Sequence, residues 1–276
     1  MRRSLPTLLL SAAAGALLSA SALRAQDQPP PAPSPEAPRP SPSPASPEPG
    51  PDASPKPAKP GDEEAALRGV PFFPLDQGRR WVYRLTYSIR PAHGEGEEPK
   101  EGEKPGGEGA PLAERRLDAY VSTPQTIGEQ RVAVLEWKLD EELAQRSYYR
   151  VDGGVLRCLR RLQERAENVK EFSFTPAQTV CPTELKVGAT WTWEGKNGAE
   201  KGKQVYTVLR QEKVQTRAGT FEAFVVEARY EGENDSGTQT RWLVKGVGIV
   251  KEVTVVKTPL HVIRAEGSLV KLEGKR

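Results

Sequence analysis

The chain of 276 residues predicts an all-β fold, an antiparallel meander forming a strongly curved sheet or half-open barrel, preceded by a Pro-rich disordered spacer. Three observations carry that prediction. From Pro71 onward apolar and polar residues alternate, run after run, with the period of two that marks a strand with one buried face. The connectors between runs hold the Gly, Asn and Asp that tight turns use. Apolar spacing of three or four residues, the helical signature, is scarce.

The elements follow in order. "MRRSLPTLLLSAAAGALLSASALRAQ" places Arg2 and Arg3 before an apolar run with small residues near its end, the layout of a secretory signal peptide over residues 1–25. A membrane span needs about 20 predominantly apolar residues; this run is rich in Ala and Ser and no basic stop-transfer cluster follows it. No Cys closes the run, so the expectation is a cleaved leader without a lipid anchor. Loss of Arg2, Arg3 and Arg24 takes the net charge of +3 to about zero, and bulk charge then points to neither nucleic acid nor an anionic membrane.

Residues 26–68 read as a linker. From Gln26 to Pro60, 15 of 35 residues are Pro, a composition that forms no core and extends as polyproline at about 3.1 Å per residue. It reads as a semi-rigid spacer, with wall-polymer contact or a glycosylated stalk as sharper alternatives. "GDEEAALRGV" is a short helical candidate at its end.

The domain is expected over residues 69–276. In "RWVYRLTYSIR" the residues Trp81, Tyr83, Leu85, Tyr87 and Ile89 share one face. Similar runs follow at "RRLDAYVS", "QRVAVLEWKL", "QRSYYRV", "TWTWEG", "KQVYTVLRQEKV", "TFEAFVVEARYE", "TQTRWLVK", "GIVKEVTVVK" and "LHVIRAEGSLVKLE", separated by the turns "DEEL", "DGG", "KNG", "RAGT" and "ENDSG". "VLRCLRRLQERAENV" admits a helix through Leu156, Leu159 and Leu162; a strand through Val155, Arg157 and Leu159 followed by a loop is the favoured reading. Residues 92–112, alternating Gly and Glu, read as a disordered insertion in a hairpin.

Export puts Cys158 and Cys181 in an oxidising compartment, where the simplest reading is one disulfide closing a loop of 22 residues and contributing about 3 kcal/mol; two buried thiols are the alternative. His93 and His261 have no His or Cys at ligand spacing, so no metal or other cofactor is expected. Neither a nucleophile elbow nor a phosphate loop is present, and the Gly246/Gly248 pair of "KGVGIVKE" reads as a turn. Glu136 and Glu227 lie within strands, and facing each other across a cleft they would suit a hydrolase.

Aromatic residues recur on most strands. They either fill the interior or line an open concavity, with Trp81, Tyr83, Trp191, Trp193 and Trp242 as the candidate ligand-lining set. Two of these pairs share a phrase: "LDQGRRWVY" from Leu75 and "LKVGATWTW" from Leu185 both read L-x-x-G-x-x-W-x-aromatic. That repetition predicts two similar sheet segments of common origin.

Four phrases, "FPLDQGRRWVYRLTY", "ELKVGATWTWEG", "RAGTFEAFVVEARY" and "RWLVKGVGIVKE", occur in this order between Phe73 and Glu252. Together they resemble the exported TapB-like domain family of bacteria. The resemblance implies a β-rich domain, distantly like the half-open barrels of LolA- and LolB-type lipoprotein carriers, and brings no catalytic residues. The chain lacks the lid helices of those carriers.

The expected function is that of a non-catalytic exported module, periplasmic or extracellular, that binds a lipid, a hydrophobic peptide or an envelope protein at its aromatic concavity. The alternatives are a structural β-domain with a solid core, acting through loops and spacer, and a hydrolase with undiagnosed carboxylates.

Overall fold

A computed structural model of the chain describes residues 60–92, 113–165, 168–198, 200–232 and 235–274. The leader, most of the spacer, His93 and nearly all of the Gly/Glu insertion lie outside the described residues. A helix α1 (Pro60–Leu67) and a two-stranded hairpin, β1 (Gly69–Val70) and β2 (Phe73–Pro74), precede twelve longer strands. These are β3 (Arg80–Pro91), β4 (Ala113–Ile127), β5 (Gln130–Leu139), β6 (Glu142–Asp152), β7 (Val155–Arg165) and β8 (Asn168–Pro182), then β9 (Thr190–Asn197), β10 (Glu200–Thr216), β11 (Gly219–Glu231), β12 (Ser236–Val244), β13 (Gly248–Lys257) and β14 (His261–Glu273).

Each long strand pairs antiparallel with the next, and β14 pairs with β3 to close the ring. The meander is the expected one; the sheet goes beyond half-open to a closed barrel. Its joints are unequal. Twelve register pairs join β14 to β3, from His261↔Pro91 to Glu273↔Arg80, whereas β8 meets β9 only at Phe174↔Asn197 and Thr175↔Lys196.

Residues 155–182 differ from expectation: the loop foreseen after Leu159 is instead the rest of β7 and all of β8. Alternation is masked there because the polar residues Arg161, Gln163 and Gln178 are buried along with the apolar ones, and register shifts at Leu156/Arg157 and Cys158/Arg160 break the period. Within the stretch read as linker, α1 packs on β5 and β6 and buries Ala66 and Leu67.

Register fixes the inner face. Ile89, Tyr87, Leu85 and Tyr83 stand opposite Ile263, Ala265, Gly267 and Leu269, and the inward row continues through Leu117, Ala119 and Val121 to Ala133, Leu135 and Trp137. Eight-stranded barrels are filled by side chains, and rings of sixteen or more leave a channel. Twelve strands fall between, and here large aromatics and the β1–β2 hairpin fill one end: Val70, Phe72, Phe73 and Leu75 are all in the core, with Phe72 edge-on to Phe224 at 5.4 Å.

The outer wall carries ion pairs on most strands, among them Arg80–Asp118, Arg84–Glu114, Arg146–Glu136, Arg160–Glu171, Lys203–Glu194, Arg229–Glu227 and Lys251–Glu266. A membrane barrel turns an apolar band to lipid; this wall is dressed for water. Among the described residues no helix is long and apolar enough to cross a membrane.

Candidate functional site

The two copies of the repeated phrase enter β3 and β9. Leu75 and Leu185 are buried, and Gly78 and Gly188 both take positive φ, 84° and 85°. Gly78 N–H donates to Val121 O, whose own N–H donates to Arg79 O; Gly188 N–H donates to Val208 O, whose N–H donates to Ala189 O. The expected equivalence holds at the level of the backbone.

The candidate aromatics follow these turns, and most are consumed by packing. Trp81 donates its indole N–H to Val247 O at 2.7 Å, and Tyr83 donates to Ile249 O at 2.8 Å while stacking on Trp137. The void against Trp81 and Tyr83 is about 10 Å³, room for one water at most. Trp193 is buried, donates to Pro176 O at 2.9 Å and meets Phe174 edge-on. Trp191 stacks flat on Tyr206 at 5.0 Å and its N–H has no partner among the described residues. Trp242 donates to Glu212 Oε1 at 2.7 Å, with Lys251 over its ring. The five therefore form no common lining: Trp81 and Tyr83 pack at the plugged end, Trp191 and Trp193 stand beside the β8–β9 joint, and Trp242 shares a side of the sheet with Glu212 and Lys251.

Cys158 and Cys181 are free thiols, which corrects the expected disulfide. They sit on neighbouring strands, but Cys158 stands across from Gln178 and Cys181 across from Leu156. Two residues along a strand and one strand across is roughly 8 Å, beyond the Cα separation that a disulfide spans. Each Sγ donates instead to a nearby carbonyl, of Arg160 and Pro182 respectively. Burial pushes both thiols up, Cys181 to about 12. Glu136 and Glu227 lie on the outer wall, paired to Arg146 and Arg229, and do not face each other. Among the described residues no group of three or more His, Cys, Asp or Glu could hold a metal ion.

The middle of the lumen is polar. Arg241 on β12 and Glu252 on β13 are register partners joined at 2.8 Å, Arg161 on β7 lies over the Phe174 ring, and Gln178 donates to Gln204 Oε1, which also accepts from Tyr206. Burial raises the Tyr206 hydroxyl, against the pull of Arg241 and Arg161. Burial lowers Arg241, but Glu252 and Tyr206 outweigh it and the guanidinium ends above its ordinary value. Five strands thus send charged, amide or hydroxyl-bearing side chains to one buried centre.

The roomy concavity lies at the plugged end, where alternate connectors of a meander gather. A cleft of about 1060 Å³ opens between the β1–β2 hairpin, the β10–β11 turn, the β12–β13 turn and the end of β14. Val70, Pro74, Phe221, Val247, Val270 and Leu272 give it apolar walls. Arg68, Arg79, Arg217, Lys245 and Lys271 line it as cations, against Asp76 as the one lining carboxylate among the described residues. Arg79 is buried: Nη2 donates to Gly246 O at 2.5 Å, Nη1 to Asp76 at 3.3 Å, and the guanidinium lies 5.6 Å from the centre of the Trp81 ring. Burial holds Arg79 below its ordinary value, with Asp76 opposing.

Sequence reasoning missed these cations. Each of three stands within two residues of a turn glycine, in "GRRW", "RAG" and "KGVG", and only the rule that every second connector falls at the same end would have gathered them.

No family model matches the chain, and no curated protein matches it significantly, so the resemblance to the TapB-like family rests on the quoted phrases alone. Solved structures give distant likenesses. A candidate lipoprotein from Parabacteroides distasonis is 11% identical, with a TM-score of 0.40 over 74% of this chain and 99% of its own. A candidate exported protein with YmcC-like fold from Bacteroides fragilis is 12% identical, with a TM-score of 0.39 over 74% of this chain and 100% of its own. The hypothetical lipoprotein YmcC from Escherichia coli is 10% identical, with a TM-score of 0.30 over 71% of this chain and 86% of its own.

Proposed function

We propose that the protein is an exported, non-catalytic binding module that seats an amphipathic ligand in the cleft at the plugged end of its barrel. The observation that carries the reading is the cleft itself: about 1060 Å³, at the upper end of the range for small-molecule sites, with apolar walls below a cationic rim. A leader-like N-terminus and an outer wall of ion pairs support export to an aqueous compartment. The ligand site moves from the Trp concavity to the end cleft because Trp81 and Tyr83 leave only about 10 Å³ between them. That same solid packing favours the second reading, a structural β-domain acting through its ends.

Native mass spectrometry of protein isolated from the exported fraction without detergent tests the proposal. Wild type is expected to carry an amphiphile adduct, and Val270→Asp, which puts a charge into the cleft wall, is expected to lose it while keeping the β-sheet circular dichroism. An adduct-free wild type, or an adduct equally abundant in a folded V270D, would overturn the reading in favour of the structural one.

A further inference from the structure

We infer that the ligand's polar end is an anion, a phosphate or carboxylate group held over Arg79 and between Arg217 and Lys245; this rests on the reading of the cleft as an amphiphile site. The partners of each cation decide the matter. Arg68 has Glu64 at 3.7 Å, Lys271 has Glu273 at 2.6 Å, and Arg79 has Asp76 at 3.3 Å. Arg217 and Lys245 have no carboxylate partner among the described residues, yet they stand on two different turns that face the same cleft. A pair of exposed cations on opposite lips is a solvated surface only if nothing beneath adds to their field.

Arg79 adds to it. Its guanidinium is fixed by Gly246 O, by Asp76 and by the Trp81 ring, and its Nε is buried without a hydrogen-bond partner among the described residues. Asp76, its one counter-charge, is itself half exposed and 3.3 Å away. A buried charge this thinly compensated is costly, and an anion arriving at the cleft would complete its neutralisation. Arg79 is the fixed positive charge in the floor; Arg217 and Lys245 supply donors that can close over the anion. The lips come from the β10–β11 and β12–β13 turns, whose backbones are set by Gly219 and Gly246, both at positive φ. The hydrocarbon of the ligand then lies along Val247, Val270, Leu272 and Phe221.

The test measures binding of three probes by isothermal calorimetry below their micellar concentrations: dodecyl phosphate, dodecyl maltoside and inorganic phosphate. Dodecyl phosphate is expected to bind about tenfold more tightly than dodecyl maltoside, with the preference shrinking as salt is added. The double variant R217E/K245E, at exposed positions, is expected to abolish that preference, weakening dodecyl phosphate about tenfold more than dodecyl maltoside. Equal affinity for the two detergents, unmoved by R217E/K245E, overturns the anion site and leaves the amphiphile reading standing. Failure of both detergents to bind overturns both, and inorganic phosphate binding as tightly as dodecyl phosphate keeps the anion site but removes the amphiphile.

Discussion

Gly78 and Gly188 hold the same backbone conformation, φ 84° and 85°, at the entries to β3 and β9, six places apart in a ring of twelve strands. Each donates its N–H to a Val on the following strand of its own half, Val121 or Val208, and each is followed by a residue that accepts from that Val. The barrel is two six-stranded halves, each opened by the same phrase. A Cβ at either glycine would meet no atom within 4 Å, so only the left-handed backbone opposes substitution. Gly78→Ala and Gly188→Ala are each expected to cost about 1 kcal/mol, and equally, in urea unfolding. Gly237→Ala is expected to cost more, because its Cβ would strike Val255 O and the Tyr230 ring. Unequal costs at Gly78 and Gly188 would argue that the two turns are alike in sequence only.

Fold class was legible because β3, β11 and β14 keep period two with most of their apolar residues inward. β7 and β8 were not, because a lumen twelve strands wide admits Arg161, Gln163 and Gln178 on the inner face, and a polar inner face reverses the signal that alternation provides. The aromatic set was found, but alternation reports a face and not what meets it, so packed Trp81 and half-buried Trp191 looked alike. The cleft was hidden for another reason. Arg79, Arg217 and Lys245 are far apart in the chain, and ring closure alone brings their turns to one rim.

The Arg241–Glu252 pair crosses from β12 to β13 inside the lumen, with both side chains at least four-fifths buried. Removing one charge leaves the other buried and unpaired, which costs about 3 kcal/mol or more. Glu252→Gln is therefore expected to lower the guanidinium midpoint strongly. On the outer wall the Lys213–Glu222 pair is largely exposed, and Glu222→Gln is expected to change stability by less than about 1 kcal/mol. Comparable losses at the two sites would mean that the lumen is wet enough to screen Arg241.

Cys158 and Cys181 are expected to resist Ellman's reagent in the folded protein at about pH 8 and to give two thiols on unfolding without reductant. Burial raises the Cys181 thiol from 9.0 to about 12 and the Tyr149 hydroxyl from 10.0 to about 12. Because the folded values lie above the ordinary ones, this contribution to stability is complete at neutral pH and is lost as pH climbs from about 9 toward 12. Urea midpoints across that window should fall, and less steeply in Cys181→Ala. Zero thiols in the unfolded, unreduced chain would restore the disulfide.

Asp118 governs the acid side. Burial pushes its carboxyl up, but hydrogen bonds from Arg116 and Arg80, at 2.8 and 2.7 Å, outweigh burial and hold it below its ordinary 3.8. A depressed carboxyl contributes stability above the unfolded value and loses it as pH falls through the folded one. Wild type is expected to lose more stability than Asp118→Asn between about pH 5 and pH 2.5 in urea titrations. Parallel losses in the two proteins would place the acid sensitivity elsewhere.

The joint between β8 and β9 is the weak line of the ring. Beyond Phe174↔Asn197 and Thr175↔Lys196 the ladder ends, and side chains take over: Trp193 donates to Pro176 O at 2.9 Å and Gln178 to Gln204 at 2.6 Å. Backbone amides that point across this joint, between Ala177 and Cys181 and between Thr190 and Gly195, lack ladder partners and should exchange faster than those joining β14 to β3. Trp193→Phe keeps the ring against Phe174 but deletes the bond to Pro176, a net loss of about 1 kcal/mol. Hydrogen exchange across β8 and β9 is then expected to quicken roughly fivefold while β14 and β3 stay unchanged. A uniform response around the ring would show that the barrel opens as one unit, and that the two halves are not separable at this joint.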